Sequence, residues 1–224
     1  MTGFLIPILV VTWKDILLEL RTKDMVTSIF VFGLLTAVIF NFAFDPTPAV
    51  VALVVPGIIW VAFTFAGVLG LNRAFVLEKD RGSLEGLLLC PVSRDVIYLG
   101  KLLAIFLFML VVEAILFPVF AVLYNFSLAD ITLFLIAVLA TFGFAGVGTL
   151  FSAMAVNTRS REIMLPVLLL PVAAPVVIAA VAATSDIMGG ASVGDVSRWL
   201  QLLATFDVIF LIVSSFVFGA VLEE

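Results

Sequence analysis

Residues 78–101, EKDRGSLEGLLLCPVSRDVIYLGK, form the longest strongly charged stretch in a chain that is otherwise mostly apolar. The stretch holds four acids (Glu78, Asp80, Glu85, Asp95) and four bases (Lys79, Arg81, Arg94, Lys101) around an apolar knot of Leu84, Leu87, Leu88 and Leu89. So many charges do not fit in hydrocarbon, so the stretch separates apolar segments on its two sides. Over the whole chain of 224 residues, 64% are hydrophobic and 12% charged, with a mean hydropathy of +1.36. No soluble domain could cover that much apolar side chain with so few charges. The chain must use lipid as its solvent.

A helix rising about 1.5 Å per residue needs roughly 20 apolar residues to cross about 30 Å of hydrocarbon. Six stretches qualify: 25–44, 50–76, 102–125, 131–156, 163–184 and 199–221. The sequence thus predicts an all-α polytopic membrane protein, one transmembrane domain over 1–224, with 78–101 as a loop in water. The fifth stretch contains Pro166, Pro171 and Pro175, which predicts a kinked helix whose freed carbonyls are satisfied by neighbours.

Residues 1–24 follow a different pattern. Leu9, Trp13, Ile16 and Leu20 fall on one helical face, and Thr12, Asp15, Glu19 and Lys23 on the opposite one. That pattern predicts an amphipathic helix lying in the interface, with Glu19 and Lys23 spaced for an i,i+4 pair. The alternative is the start of one long first span. No removable signal peptide is read, because a basic region, apolar run and small-residue cleavage site do not follow one another.

Lys and Arg set orientation. With six spans, Lys14, Arg21, Lys23, Arg73, Lys79, Arg81, Arg94, Lys101, Arg159 and Arg161 share one face, and Arg198 alone lies on the other. By the positive-inside rule the base-rich face, with both termini, is expected in the cytoplasm, and the protein in an inner membrane. The formal charge of −5 says little beside this placement.

Several chemistries are excluded. There is no P-loop sequence to cradle ATP phosphates. With no His and one cysteine, Cys90, the chain offers no set of ligands for zinc or ordinary haem and no internal disulfide. Ser83 and Ser93 have no His to act as base. An enzyme, a resident cofactor and a nucleic-acid partner are all unexpected.

In the charged stretch, Gly82 is placed to end the second span's helix, Ser83 to cap a new one and Glu85 to favour its N-terminal end. Leu84, Leu87 and Leu88, at i, i+3 and i+4, make one apolar face before Cys90-Pro91 stops the helix. Six residues give about 9 Å of helix, too short to stand alone in water. It could dip back into the interface as a re-entrant turn, or seat in a groove of a separate subunit.

The run RGSLEGLLLCPVSRDVIYLGKLL resembles the loop between the second and third spans of ABC-2-type permeases, where G-[ST]-L-E, a Pro and a downstream G-K recur. Residues 56–91 are similar, more narrowly, to the CcmB family of the cytochrome c maturation machinery. Its motif F-x-x-D-x-x-D-G-S-L is met here by Phe75, Glu78, Arg81, Gly82, Ser83 and Leu84. Glu78 keeps the first acid's charge and Arg81 reverses the second. The likeness continues through LVVEAILFPVFAVLYN and the closing FDVIF and VLEE. The resemblance implies an ABC-2-type permease that pairs with itself and with a P-loop ATPase subunit (CcmA-like). It also implies a haem-handling membrane partner (CcmC-like) and a haem chaperone (CcmE-like) whose loaded form is released by ATP hydrolysis. Phe75, Glu78, Gly82, Ser83, Leu84, Glu85, Leu87, Leu88 and Pro91 are then the candidate ATPase-coupling residues. An ABC-2 exporter of lipid, polysaccharide or drug would use the same loop, and a proton-driven secondary transporter would need no ATPase.

Two acids lie within spans, Glu113 in the third and Asp207 in the sixth. A central charge costs about 2.5–3.5 kcal/mol on insertion scales, which the surrounding apolar residues outweigh. Three roles stay open for them: helix-to-helix glue, a contact with a partner subunit, or proton coupling.

Overall fold

Helix lengths here follow from where polar residues and special backbone angles interrupt the apolar runs. In the computed structural model the described residues are 2–44, 47–74, 92–128, 130–156, 158 and 161–221. They form helices α1 (Thr2–Thr22), α2 (Asp24–Ala43), α3 (Pro48–Ala74), α4 (Arg94–Tyr124), α5 (Ile131–Val156), α6 (Arg161–Met188) and α7 (Val193–Val221), with no strand among them. Six of the seven, α2 to α7, are long and apolar enough to cross a membrane. The protein is therefore an all-α polytopic membrane protein, as its hydropathy predicts, and this is consistent with the ABC-2-type permease fold that the resemblance implies.

α1 and α2 are separate helices rather than one long span. Lys23 breaks them with a left-handed φ of 58°, while its N–H still bonds back to the Glu19 carbonyl and its own carbonyl starts α2 by accepting from Thr27. Capping follows the local sequence elsewhere. Asn125 ends α4 in a left-handed conformation (φ 52°), and Asp130 Oδ1 accepts from the Thr132 N–H at the start of α5. Ser192 and Asp195 close the first turn of α7 between them, with Asp195 Oδ2 accepting from both the N–H and the Oγ of Ser192.

α3 and α5 are central, with 67% of each span buried against 28% for α2 and α7. α2 lies on α3, α6 and α7 pack on α5, and α1 packs on α4. Lipid removes the hydrophobic drive between spans, so cross-helix hydrogen bonds and close contacts hold the bundle. Trp60 Nε1 donates to Thr184 Oγ1 (2.9 Å) and Ser185 Oγ to the Ala52 carbonyl (3.1 Å), tying α3 to α6. Tyr124 Oη donates to the Ala37 carbonyl (3.0 Å) and Asn41 Nδ2 to the Leu123 carbonyl (2.9 Å), tying α2 to α4.

One feature differs from the sequence reading. The third span's helix begins at Arg94 rather than near 102, because Val96, Ile97, Tyr98, Gly100 and Lys101 find buried positions in its first turns. α6 runs unbroken for 28 residues through its three prolines. Pro171 and Pro175 stand on its exposed side, away from the buried stripe of Leu165, Leu169, Ala173 and Val176.

Candidate functional site

The candidate coupling residues Phe75, Glu78, Gly82, Ser83, Leu84, Glu85, Leu87, Leu88 and Pro91 lie outside the described residues, as does the expected short helix over 83–89. What the structure does place are the two stems that carry them, the end of α3 and the start of α4. Both are braced. Ser152 Oγ on α5 donates to the Leu71 carbonyl at 2.7 Å, fixing the end of α3. On the other stem Tyr98, fully buried, donates from Oη to the Gly146 carbonyl at 3.1 Å and sets its ring 5.3 Å from that of Phe218. α5 therefore holds both stems, and α7 supports the second.

α1 braces the second stem from the side. Thr12 Oγ1 donates to the Gly100 carbonyl at 3.0 Å, and Lys101 Nζ lies 3.4 Å from Asp15 Oδ2. Lys101 is 2% exposed, and Asp15 also meets Lys14 at 2.9 Å. Gly100 permits the approach, because a Cβ there would lie 2.7 Å from Val11 Cβ and 3.1 Å from the Ile8 carbonyl oxygen. One turn on, Glu19 Oε1 accepts from the Val26 N–H at 2.8 Å, so α1 also caps the N-terminus of α2.

The orientation of α1 corrects a simple reading of its amphipathic pattern. Thr12, Asp15 and Glu19 face the protein, whereas Leu9, Trp13 and Leu20 face outward, 59%, 59% and 61% exposed. Apolar side chains lose nothing against lipid, while the polar face needs partners that α2 and α4 supply. The Gly100-Lys101 pair of the resemblance thus becomes the seat of an interfacial helix. Sequence reasoning missed Tyr98 and Ser152, whose partners are backbone carbonyls far along the chain and leave no trace in spacing.

The two intramembrane acids are placed differently. Glu113 on α4 accepts a 2.6 Å hydrogen bond from Thr141 Oγ1 on α5, and its Oε2 has no partner among the described residues. Asp207 on α7 is buried against Gly143 of α5, where a Cβ would meet Oδ1, and neither of its carboxylate oxygens has a partner among the described residues. Thr141 and Gly143 stand two residues apart, about 200° around α5, so the two acids touch opposite sides of that helix. They do not form one site. Among the described residues no group of three His, Cys, Asp or Glu could hold a metal ion.

Comparison with known proteins follows this architecture. The family model described as CcmB protein matches residues 7–224. The chain is 33% identical over 96 residues to "Heme exporter protein B" of Escherichia coli K12, covering 41% of this chain and 44% of that protein. The match thus spans less than half the length of the E. coli relative. Proteins of the same description are 27% identical over 166 residues in Rhodobacter capsulatus, covering 74% of this chain and 76% of the relative. In Bradyrhizobium diazoefficiens the figure is 27% over 178 residues, 79% of this chain and 80% of the relative.

Proposed function

This chain belongs to the CcmB protein family, and from that membership we propose that it is the membrane permease subunit of an ABC transporter complex serving cytochrome c maturation. The observation that carries the reading is the family match over residues 7–224, on a chain with six membrane-crossing helices and a charged segment between two braced stems. The permease works as a homodimer and has no catalytic step of its own. A separate P-loop ATPase subunit (CcmA-like) hydrolyses ATP and drives the segment 75–91. The stems pass that motion into α5, which releases the haem-loaded chaperone (CcmE-like) from its haem-handling membrane partner (CcmC-like). The name these relatives carry, "Heme exporter protein B", supports the assignment to haem handling.

The base-rich end faces the cytoplasm in this reading, with both termini, and the protein sits in the inner membrane. Cysteines at Lys79→Cys and Arg159→Cys should be shielded from an impermeant thiol reagent outside intact cells, in a Cys90→Ser background. Those at Asp186→Cys and Asp195→Cys should react. Labelling at position 79 from outside would reverse the orientation.

Within the segment, Leu84, Leu87 and Leu88 fill an apolar groove on the ATPase, and Glu78 and Glu85 meet bases at its rim. A buried leucine contributes about 1.5–3 kcal/mol and an exposed ion pair about 0–1, so the leucines dominate. The test is a mild-detergent pull-down of the wild type and Leu87→Asp. The variant should reach the membrane at normal abundance, lose the ATPase and abolish cytochrome c maturation. ATPase recovered in full with Leu87→Asp would remove the segment from coupling.

A further inference from the structure

Polar side chains that face lipid are rare in this bundle. On α2 to α6 the exposed polar side chains within a helix, among the described residues, are Thr27 and Glu162, each in a first turn. α7 differs. Arg198, Gln201 and Thr205, at i, i+3 and i+7, are exposed on the side opposite its buried Leu203, Phe206, Asp207 and Ser214. The depth of this stripe follows from both ends of the helix. Gly219 stands beside Arg94 on the base-rich side, where an added Cβ would lie 3.8 Å from Arg94 Cβ. About 20 residues of helix, roughly 30 Å, lead from there to Trp199, whose Nε1 donates to Asp186 Oδ2 at 3.1 Å. Tryptophan concentrates at such membrane boundaries. Gln201 and Thr205 lie about 3 and 9 Å further in, at the edge of the hydrocarbon and inside it. Thr36 and Thr149, within other spans, donate to the carbonyl four residues before them. Gln201 and Thr205 have no hydrogen bond from their side chains among the described residues.

We propose that this face of α7 docks a membrane-crossing helix of a different polypeptide, one that carries an acid level with Arg198 and an amide or hydroxyl about one turn deeper, against Gln201 and Thr205. Acyl chains offer the Gln201 amide neither donor nor acceptor, and side chains of this kind join helix pairs in membranes. The base selects the sign of the partner. Arg198 sets its guanidinium 4.8 Å from the Trp199 ring and meets no carboxylate of its own chain among the described residues. The three described acids of this end are engaged, Asp130 with Thr132, Asp186 with Trp199 and Asp195 with Ser192. A second copy does not fit. A two-fold axis along the membrane normal would set two α7 helices parallel and bring Arg198 against Arg198. A different chain with an acid at that level satisfies the base, and the exposed Val208 and Ile212 continue the face inward for apolar packing. The proposal uses neither the segment 75–91 nor its stems, so it stands or falls apart from the coupling reading.

The test is photo-crosslinking of the full-length chain in the membrane of its own cells. A p-benzoylphenylalanine takes the place of Val208 on this face or, as the control, of Val111 on an exposed part of α4. Irradiation should join position 208, and not 111, to a second polypeptide. The adduct should map to an apolar segment of about 20 residues with an Asp or Glu near its outer end. Gln201→Leu should cut the adduct about tenfold, the scale of a hydrogen bond between membrane helices. That variant is the more apolar of the two, so the unfolding midpoint of the isolated protein should hold. Arg198→Glu should abolish the adduct, and changing the partner's acid to Arg should restore it. An adduct between two copies of this chain, lipid adducts alone at 208, a partner segment without an acid, or adducts that survive both variants would overturn the proposal.

Discussion

The two ends of α4 handle buried polarity in opposite ways. At its start, Thr12, Asp15, Tyr98 and Lys101 are each matched to a partner on a neighbouring helix. Toward its other end, among the described residues, Glu113 has one oxygen matched and one not, and Asp207 across α5 has neither matched. A matched buried group fixes geometry, because losing its partner strands it in low dielectric. An unmatched one sets no geometry through bonds of its own. The first end of α4 is held by its polar groups, and the second is held by apolar packing around them.

The largest test of this contrast is Asp15→Ala. It takes from the Lys101 ammonium the carboxylate that joins α1 to α4, and a hydrogen bond to a charged group contributes about 1.5–3 kcal/mol. The unfolding midpoint in detergent should fall accordingly. A silent Asp15→Ala would mean that charge pairing does not hold this end. Gly100→Val comes next, at about 1–3 kcal/mol for overpacking against Val11. It should also expose α1 to limited proteolysis before the spans yield, whereas release of α1 and the spans together would argue against a separately docked helix.

How much of this was legible can be judged from α1 and α4. The apolar runs marked the six spans because crossing a bilayer demands length and composition, and both are local properties. The face of α1 was visible as a pattern, yet its direction was not. A two-class pattern of polar and apolar residues cannot say which of three surroundings, water, lipid or protein, each class meets. The start of α4 was misplaced for a related reason. Arg94, Asp95 and Lys101 mark a water-exposed loop on a hydropathy scale, and a carboxylate from a distant helix, Asp15, meets Lys101 where it is buried. For the candidate coupling residues, the resemblance carried the whole identification. The Glu113–Thr141 bond joins positions 28 apart on different helices and has no signature in spacing.

Two smaller effects sharpen the other half of the comparison. Thr141→Val removes the one partner of Glu113 among the described residues and should cost about 1–3 kcal/mol, read again as the unfolding midpoint. If its effect matched that of a lipid-facing change, Glu113 would be no glue at all. Asp207→Asn keeps the shape of a buried side chain that has no partner among the described residues, so the unfolding midpoint of the isolated protein should not fall. The assembled complex gives the sharper readout. Loss of a co-purifying subunit from Asp207→Asn, with the permease itself unchanged, would assign Asp207 to a contact between chains.

The pair that seats α1 also sets a schedule. Asp15 and Lys101 are 86 residues apart. At about 5–20 residues per second, α1 leaves the ribosome roughly 4–17 s before its partner on α4 is made. Through that interval its apolar face can already rest in the membrane, but Thr12 and Asp15 have only water and headgroups to meet. α1 is made before α2 to α7 and cannot dock on α4 until the third span is in place. Its seating therefore reports that α2, α3 and the segment between α3 and α4 have been laid down.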